Sequence, residues 1–153
     1  MPLYFAYGAN MDVSAMTKRC PRSKPLGPAR LPKHRFALTR RLYATVLRDA
    51  RQDVWGLLWS LALADVAALD RWEEVAAGLY AKTVRPVLRA GGGPVQALIY
   101  LAGDPDAFGI TAPASYGEAV FRAARDLGLP APYLASLHAT LSSATLAAPG
   151  LRA

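Results

Sequence analysis

Apolar positions fall in short runs along this chain, and the spacing within them switches between alternation and helical periodicity. Leu3–Tyr7 is a short aromatic-rich run closed by Gly8, which predicts a buried strand ending in a tight turn. Residues 17–33 are rich in Pro, Gly, Lys and Arg and read as a long basic surface loop. Arg35–Thr39 and Tyr43–Arg48 read as strands on either side of a turn at Arg40-Arg41. Asp53–Leu61 is a strongly apolar strand with Trp55 and Trp59 on one face and Leu58 on the other. A short helix is expected from about Asp65 to Glu74. Two more strands, Leu79–Leu88 and Pro94–Leu101, reverse at Gly91-Gly92-Gly93. Pro86 removes a ladder donor, so its position should be an edge or a bulge. Ser115-Tyr116-Gly117-Glu118 has the S-x-x-E pattern of a capping box, and the helix it opens should end at Gly128. Pro132 suits the first turn of a last helix running toward Ser142. This order predicts an α+β fold on an antiparallel or mixed sheet, either open or closed into a small barrel.

The length of 153 residues suits one domain spanning 1–153, and 53% hydrophobic residues supply a core that excludes wholesale disorder. Cys20 stands alone, so no intramolecular disulfide, redox pair or zinc motif can be assembled. The longest apolar stretch, Val54–Ala64, falls well short of a membrane span, and no basic region precedes the first apolar run. A soluble, cytoplasmic protein with no membrane partner is therefore expected. The net charge of +7 is unevenly placed: residues 1–51 carry eleven Lys or Arg against two acids, whereas 52–153 carry seven against nine. The basic segment 18–51 reads as a solvated face or as a surface that steers a small anionic substrate. No recognised module accompanies the charge, so nucleic acid is not the expected partner.

Several chemistries drop out. The chain has no phosphate-binding G-x-x-x-x-G-K-[ST], no G-x-G-x-x-G, no G-x-S-x-G and no H-E-x-x-H. A histidine-based metal site would need both His34 and His138 together with distant carboxylates, so no metal is expected.

Two segments remain. Within the predicted helix, Val66, Leu69 and Glu73 lie on one row, with Ala62 extending it, so Glu73 sits on the apolar side. Glu74 lies about 100° around and should be more exposed. A desolvated carboxylate holds its proton more tightly and suits proton shuttling; the other reading is a helix-end Glu paired with an Arg. Asp70 borders the same row. The second segment is Tyr4-Phe5-Ala6-Tyr7-Gly8-Ala9-Asn10-Met11, where a strand stopping at Gly8 can turn backbone N–H groups outward toward an anion or a developing oxyanion.

Together these segments resemble the γ-glutamylcyclotransferase family, including its γ-glutamylamine cyclotransferase relatives. The family's Y-G-S-N loop corresponds to Tyr7-Gly8-Ala9-Asn10. Its middle strand resembles Asp53–Trp59, and its E-G-V segment and later G-x-Y correspond to Glu73-Glu74-Val75 and Gly78-Leu79-Tyr80. Tyr116 and Gly128-Leu129-Pro130 also look like family positions, so the likeness spans Leu3 to Leu134. It implies a small mixed β-barrel with flanking helices and a cofactor-free cyclisation that turns a γ-glutamyl compound into 5-oxoproline and a free amine or amino acid. By position, Glu73 would be the acid/base, Tyr7, Gly8, Ala9 and Asn10 would hold the glutamyl group, and Tyr80 and Tyr116 would line the pocket. Two departures stand out: Ala9 replaces the usual Ser, and Glu74 replaces a Gly whose φ could be positive. They motivate an alternative reading, a small-molecule-binding domain that keeps the fold without turnover. Leu134–Leu146 would serve equally as a packed terminal helix in a monomer or as a face between the copies of a homodimer.

Overall fold

The computed structural model describes residues 2–103 and 110–147, without the side chains of the last four. Among these residues the strands β1 (Leu3–Ala6), β2 (Lys24–Leu38), β3 (Ala44–Ser60), β4 (Tyr80–Arg89) and β5 (Pro94–Ala102) close into a barrel in the order β1-β3-β2-β4-β5. The helices are α1 (Val13–Arg19), α2 (Leu63–Trp72), α3 (Ala114–Asp126) and α4 (Ala131–Ala147). β1 runs antiparallel to β3 but parallel to β5, so the barrel is mixed. The fold is thus the α+β barrel with flanking helices that the family resemblance implies.

β1 is short and its Tyr4, Phe5 and Ala6 are all buried, as befits a strand covered on both faces. It lies so close to β3 that a Cβ on Gly56 would sit 2.2 Å from the Ala6 carbonyl oxygen. Glycine at position 56 therefore lets the end of β1, and the loop that follows it, take their place. Trp59 and Leu58, on opposite faces of β3, are both fully buried.

Residues 17–33 are not a loop. The Asp12 side chain accepts from the Ala15 N–H at 3.1 Å and caps α1, which ends at Arg19; β2 then starts at Lys24. Pro25, Pro28 and Pro32 are accommodated because β2 pairs with β4 only at Ala29↔Arg89 and Arg30↔Leu88, leaving most of that edge free of ladder bonds. Bulges between Pro25 and Gly27 and between Pro32 and His34 absorb the rest. The two short strands expected at 35–39 and 43–48 are the distal halves of β2 and β3, joined by the turn that contains Arg40 and Arg41.

Other elements differ in detail. α3 begins at Ala114 with Pro113 as its N-cap and no side-chain cap, so the Ser115–Glu118 capping box does not form; Pro113 fixes the extended entry to the helix instead. The helix ends before Gly128, whose φ of 70° makes it the left-handed residue expected there. α4 continues five residues past Ser142, because no breaker follows Ser142 until Pro149. Leu137 and Leu141 on it are buried, and α4 packs on α3 and β2. Pro86 pairs with Gln96 of β5 at a point where β4 has no β2 partner, the edge-like position its missing donor requires. Val54–Ala64 forms the end of β3 and the start of α2, and no helix among the described residues is long and apolar enough to cross a membrane.

α2 carries one fully buried acid, Asp65. Its carboxylate accepts from the Arg22 backbone N–H at 2.9 Å and from Ser23 Oγ at 2.8 Å, tying the segment after α1 to the first turn of α2. Cys20 is buried beside it and unpaired, and burial pushes its thiol up to about 11, the opposite of an activated nucleophile.

Candidate functional site

A cavity of about 620 Å³ opens where the loop after β1, the tip of the β2–β3 hairpin, the end of α2 and the start of α3 converge. Each element brings a residue type that suits the place. β1 runs out at Ala6, Gly8 departs from strand geometry, and Ala9–Met11 form a single 3-10 turn. The N–H groups at the head of such a turn have no acceptor within it, whereas the carbonyls of Gly8 and Ala9 accept from Met11 and Asp12. Gly8 itself is tightly placed: a Cβ there would meet Ala44 Cβ at 3.1 Å and the Tyr116 hydroxyl at 3.5 Å.

Glu73 is the last residue to close α2, its N–H donating to the Leu69 carbonyl at 2.9 Å. Its side chain lines the cavity and is half-buried, while Glu74 is exposed. Asn10 Nδ2 lies 3.5 Å from Glu73 Oε1 and 3.1 Å from the Tyr4 hydroxyl. Burial raises the Glu73 carboxyl to about 7, against a smaller downward pull from the Arg19 guanidinium. Near neutral pH this group is therefore divided between acid and carboxylate.

Six of the seven tyrosines surround this acid: Tyr4, Tyr7, Tyr43, Tyr80, Tyr100 and Tyr116 all line the cavity. Burial drives Tyr4, Tyr7, Tyr80, Tyr100 and Tyr116 well above the ordinary phenol range, so those five stay neutral and serve as hydrogen-bonding walls. Their hydroxyls also fix the surrounding backbone. Tyr7 donates to the Tyr100 carbonyl, and Tyr80 donates to the Ala44 carbonyl at 2.7 Å. The Ala44 N–H in turn donates to Tyr116 at 3.1 Å. Tyr100 donates to Asp70 at 2.6 Å, and Asp70 is also paired with Lys82 at 2.9 Å. Burial would raise the Asp70 carboxyl, but those two partners hold it below its usual value, so Asp70 is a fixed anion.

Residues 53–137 match the model of a family described as the AIG2-like family, more than half of the chain. This chain belongs to the AIG2-like family. It is 27% identical over 149 residues to the γ-glutamylcyclotransferases of Mus musculus and of Homo sapiens, matches that cover 90% of this chain and 77% of each relative. Among solved structures it resembles a γ-glutamyl cyclotransferase with a TM-score of 0.78 at 24% identity, covering 90% of this chain and 86% of that one. A glutathione-specific γ-glutamyl cyclotransferase from yeast matches with a TM-score of 0.62 at 11% identity, over 93% and 96% of the two chains. At those identities the structural likeness speaks for the fold.

In this AIG2-like chain all the residues singled out by motif, Tyr7, Gly8, Ala9, Asn10, Glu73, Tyr80 and Tyr116, line the same cavity. Sequence reasoning left out Tyr4, Tyr43, Trp72, Tyr100 and Ile110, which line it too. Tyr4 and Tyr100 are almost wholly buried, so their apolar strand context reads as core although both border the site. Glu74 occupies the left-handed region with φ 50° and ψ 46°, immediately after the α2 cap, where helices commonly take Gly. The departure at position 74 thus leaves the helix end in place and the Glu73 side chain in the cavity. The two histidines lie elsewhere. His34 is buried against the Pro32 carbonyl, and His138 is exposed with its ring edge-on to Phe121. No cluster of three or more His, Cys, Asp or Glu able to hold a metal occurs among the described residues.

Proposed function

We propose that this protein is a γ-glutamyl cyclotransferase that uses Glu73 as both general base and general acid. The observation that carries this reading is one half-buried carboxyl, raised to about 7, facing the loop after β1 in a cavity open to solvent on one side. The names of the mouse and human relatives point to the same reaction class.

In this mechanism the glutamyl α-ammonium gives a proton to the Glu73 carboxylate, and the freed amine attacks the γ-carbonyl carbon of the same molecule. The N–C bond that closes the five-membered ring forms, and the negative charge of the tetrahedral intermediate settles on the former carbonyl oxygen. N–H groups of the Gly8–Asn10 turn stabilise it. The ring nitrogen gives up its second proton to solvent, and the bond to the leaving nitrogen breaks as Glu73 returns the first proton to that nitrogen, releasing 5-oxoproline and an amine or amino acid. A group with its pKa near the working pH performs both transfers well, a contribution of roughly 10²- to 10⁴-fold. Ring closure is intramolecular, so the tyrosine walls have mainly to hold a bent conformer with amine and carbonyl about 3–3.5 Å apart.

The test is release of 5-oxoproline from a panel of γ-glutamyl amino acids, peptides and amines. Turnover of at least one class is expected. Saturable binding of these compounds with no 5-oxoproline formed would instead identify a non-catalytic binding domain.

A further inference from the structure

One cation stands behind the site without lining it. Arg19 closes the last turn of α1, its guanidinium carbon 3.5 Å from the centre of the Trp72 ring, and its Nη1 donates to Asn10 Oδ1 at 2.5 Å. Guanidinium can only donate, so it fixes which end of the Asn10 amide it meets. The Nδ2 end is thereby turned toward Tyr4 and Glu73. The Asn10 carbonyl is held separately by Trp59 Nε1 at 3.2 Å, which leaves the side-chain amide as the part that Arg19 governs. Trp72 directly precedes Glu73 in the chain, so the stacked ring ties the same guanidinium to the end of α2.

We propose that Arg19 is a positioning residue that locks the loop after β1 to the end of α2, holding the Asn10 amide donor toward the Glu73 carboxylate. The proposal rests on the cyclotransferase reading for its catalytic consequence, but its geometric content can be measured without turnover. The groups around Glu73 make the effect separable. Tyr4 and Tyr7 from β1 and the residue after it, Tyr80 from β4, Tyr100 from β5 and Tyr116 from α3 all stay neutral in the working range. Asp70 is paired with Lys82, and Glu74, which borders the same cavity, is exposed. Arg19 is the cation that acts on the Glu73 carboxylate.

The chain has three glutamates, Glu73, Glu74 and Glu118, so side-chain carboxyl NMR of glutamate-labelled protein can follow Glu73 alone, with Glu73→Gln supplying the assignment. Arg19→Met should raise the Glu73 midpoint by about one pH unit, as loss of a nearby opposite charge does. Arg19→Lys should keep it near the wild-type value. Trp72→Leu, at a half-exposed position, should move it in the same direction as Arg19→Met by a smaller step and covers the case in which the Met variant does not fold. Where 5-oxoproline is produced, Arg19→Met should lower kcat by about tenfold or more with KM changed less, the sign of lost transition-state positioning. An unmoved midpoint in folded Arg19→Met, or in Trp72→Leu if that is the variant that folds, overturns the proposal. A midpoint that moves in Trp72→Leu, where the Arg19 charge is kept, in a protein that forms no 5-oxoproline overturns the cyclotransferase reading and leaves the positioning role standing.

Discussion

Asn10 Nδ2 and Glu73 Oε1 lie 3.5 Å apart although 63 residues separate them in the chain. This approach joins the loop after the first strand to the end of the second helix, and it turns two local sequence features into one site. It depends on packing beneath it: Gly56 admits the end of β1, Trp59 holds the Asn10 carbonyl, and Leu69 anchors the last turn of α2 in the core.

Glu74 holds a left-handed conformation that glycine adopts freely and other residues adopt at a cost of about 1–2 kcal/mol. Its side chain is exposed, so its removal forfeits little packing. Glu74→Gly should stabilise the protein by about 1 kcal/mol, seen as a higher urea midpoint with an unchanged slope. A lower midpoint would mean that the Glu74 side chain makes a favourable interaction outweighing the backbone strain.

The raised carboxyl of Glu73 has a definite signature in stability. The folded protein keeps this proton up to about pH 7, whereas an unfolded chain releases it near 4.5. Between those values the native state binds more protons than the unfolded one, so this group's contribution falls as pH rises and levels off above pH 7. The full penalty is at most about 3–4 kcal/mol, at 1.36 kcal/mol per pH unit. Relative to Glu73→Gln, the wild type should therefore lose stability from pH 4.5 to 7 and run parallel above it. Denaturant titrations of both proteins across this range measure the difference directly, and parallel curves throughout would place Glu73 in an ordinary solvated environment.

The other acid buried on α2 belongs to the scaffold and not to the cavity lining. Asp65 accepts from Arg22 and Ser23, and Ser23 Oγ accepts in turn from the Ala62 N–H at 3.1 Å. Asp65→Ala strands buried donors and should destabilise the protein by about 2–4 kcal/mol. At temperatures where the variant remains folded, its turnover should stay within about threefold of wild type. A large loss of kcat in the folded variant would give the Asp65 network a role in the site.

Much of this architecture is legible in the chain, for identifiable reasons. β1, β4 and β5 announce themselves by apolar runs bounded by glycine, and Glu73 by its place on the row of Val66 and Leu69. β2 is hidden because its prolines and basic residues have the composition of a loop. The signal that reveals it is the alternation at Ala29-Arg30-Leu31-Pro32, where Ala29 and Leu31 are buried and their neighbours are not. The basic charge of this region is likewise partly structural: Arg19 stacks on Trp72, and Arg30 pairs with Asp53. Tyr4, Tyr100 and Trp72 escape a sequence reading because their part in the cavity is set by barrel closure and by contacts between distant segments, which no local spacing encodes.

The central claim is that Glu73 moves the proton, and the most direct measurement is the rate of 5-oxoproline release by Glu73→Gln beside wild type on a turned-over γ-glutamyl substrate near pH 7. Glutamine preserves the shape and the hydrogen-bonding reach but cannot carry the proton. A fall in kcat of roughly 10²- to 10⁴-fold with the fold intact is the predicted result. Equal rates for the two proteins would contradict the account.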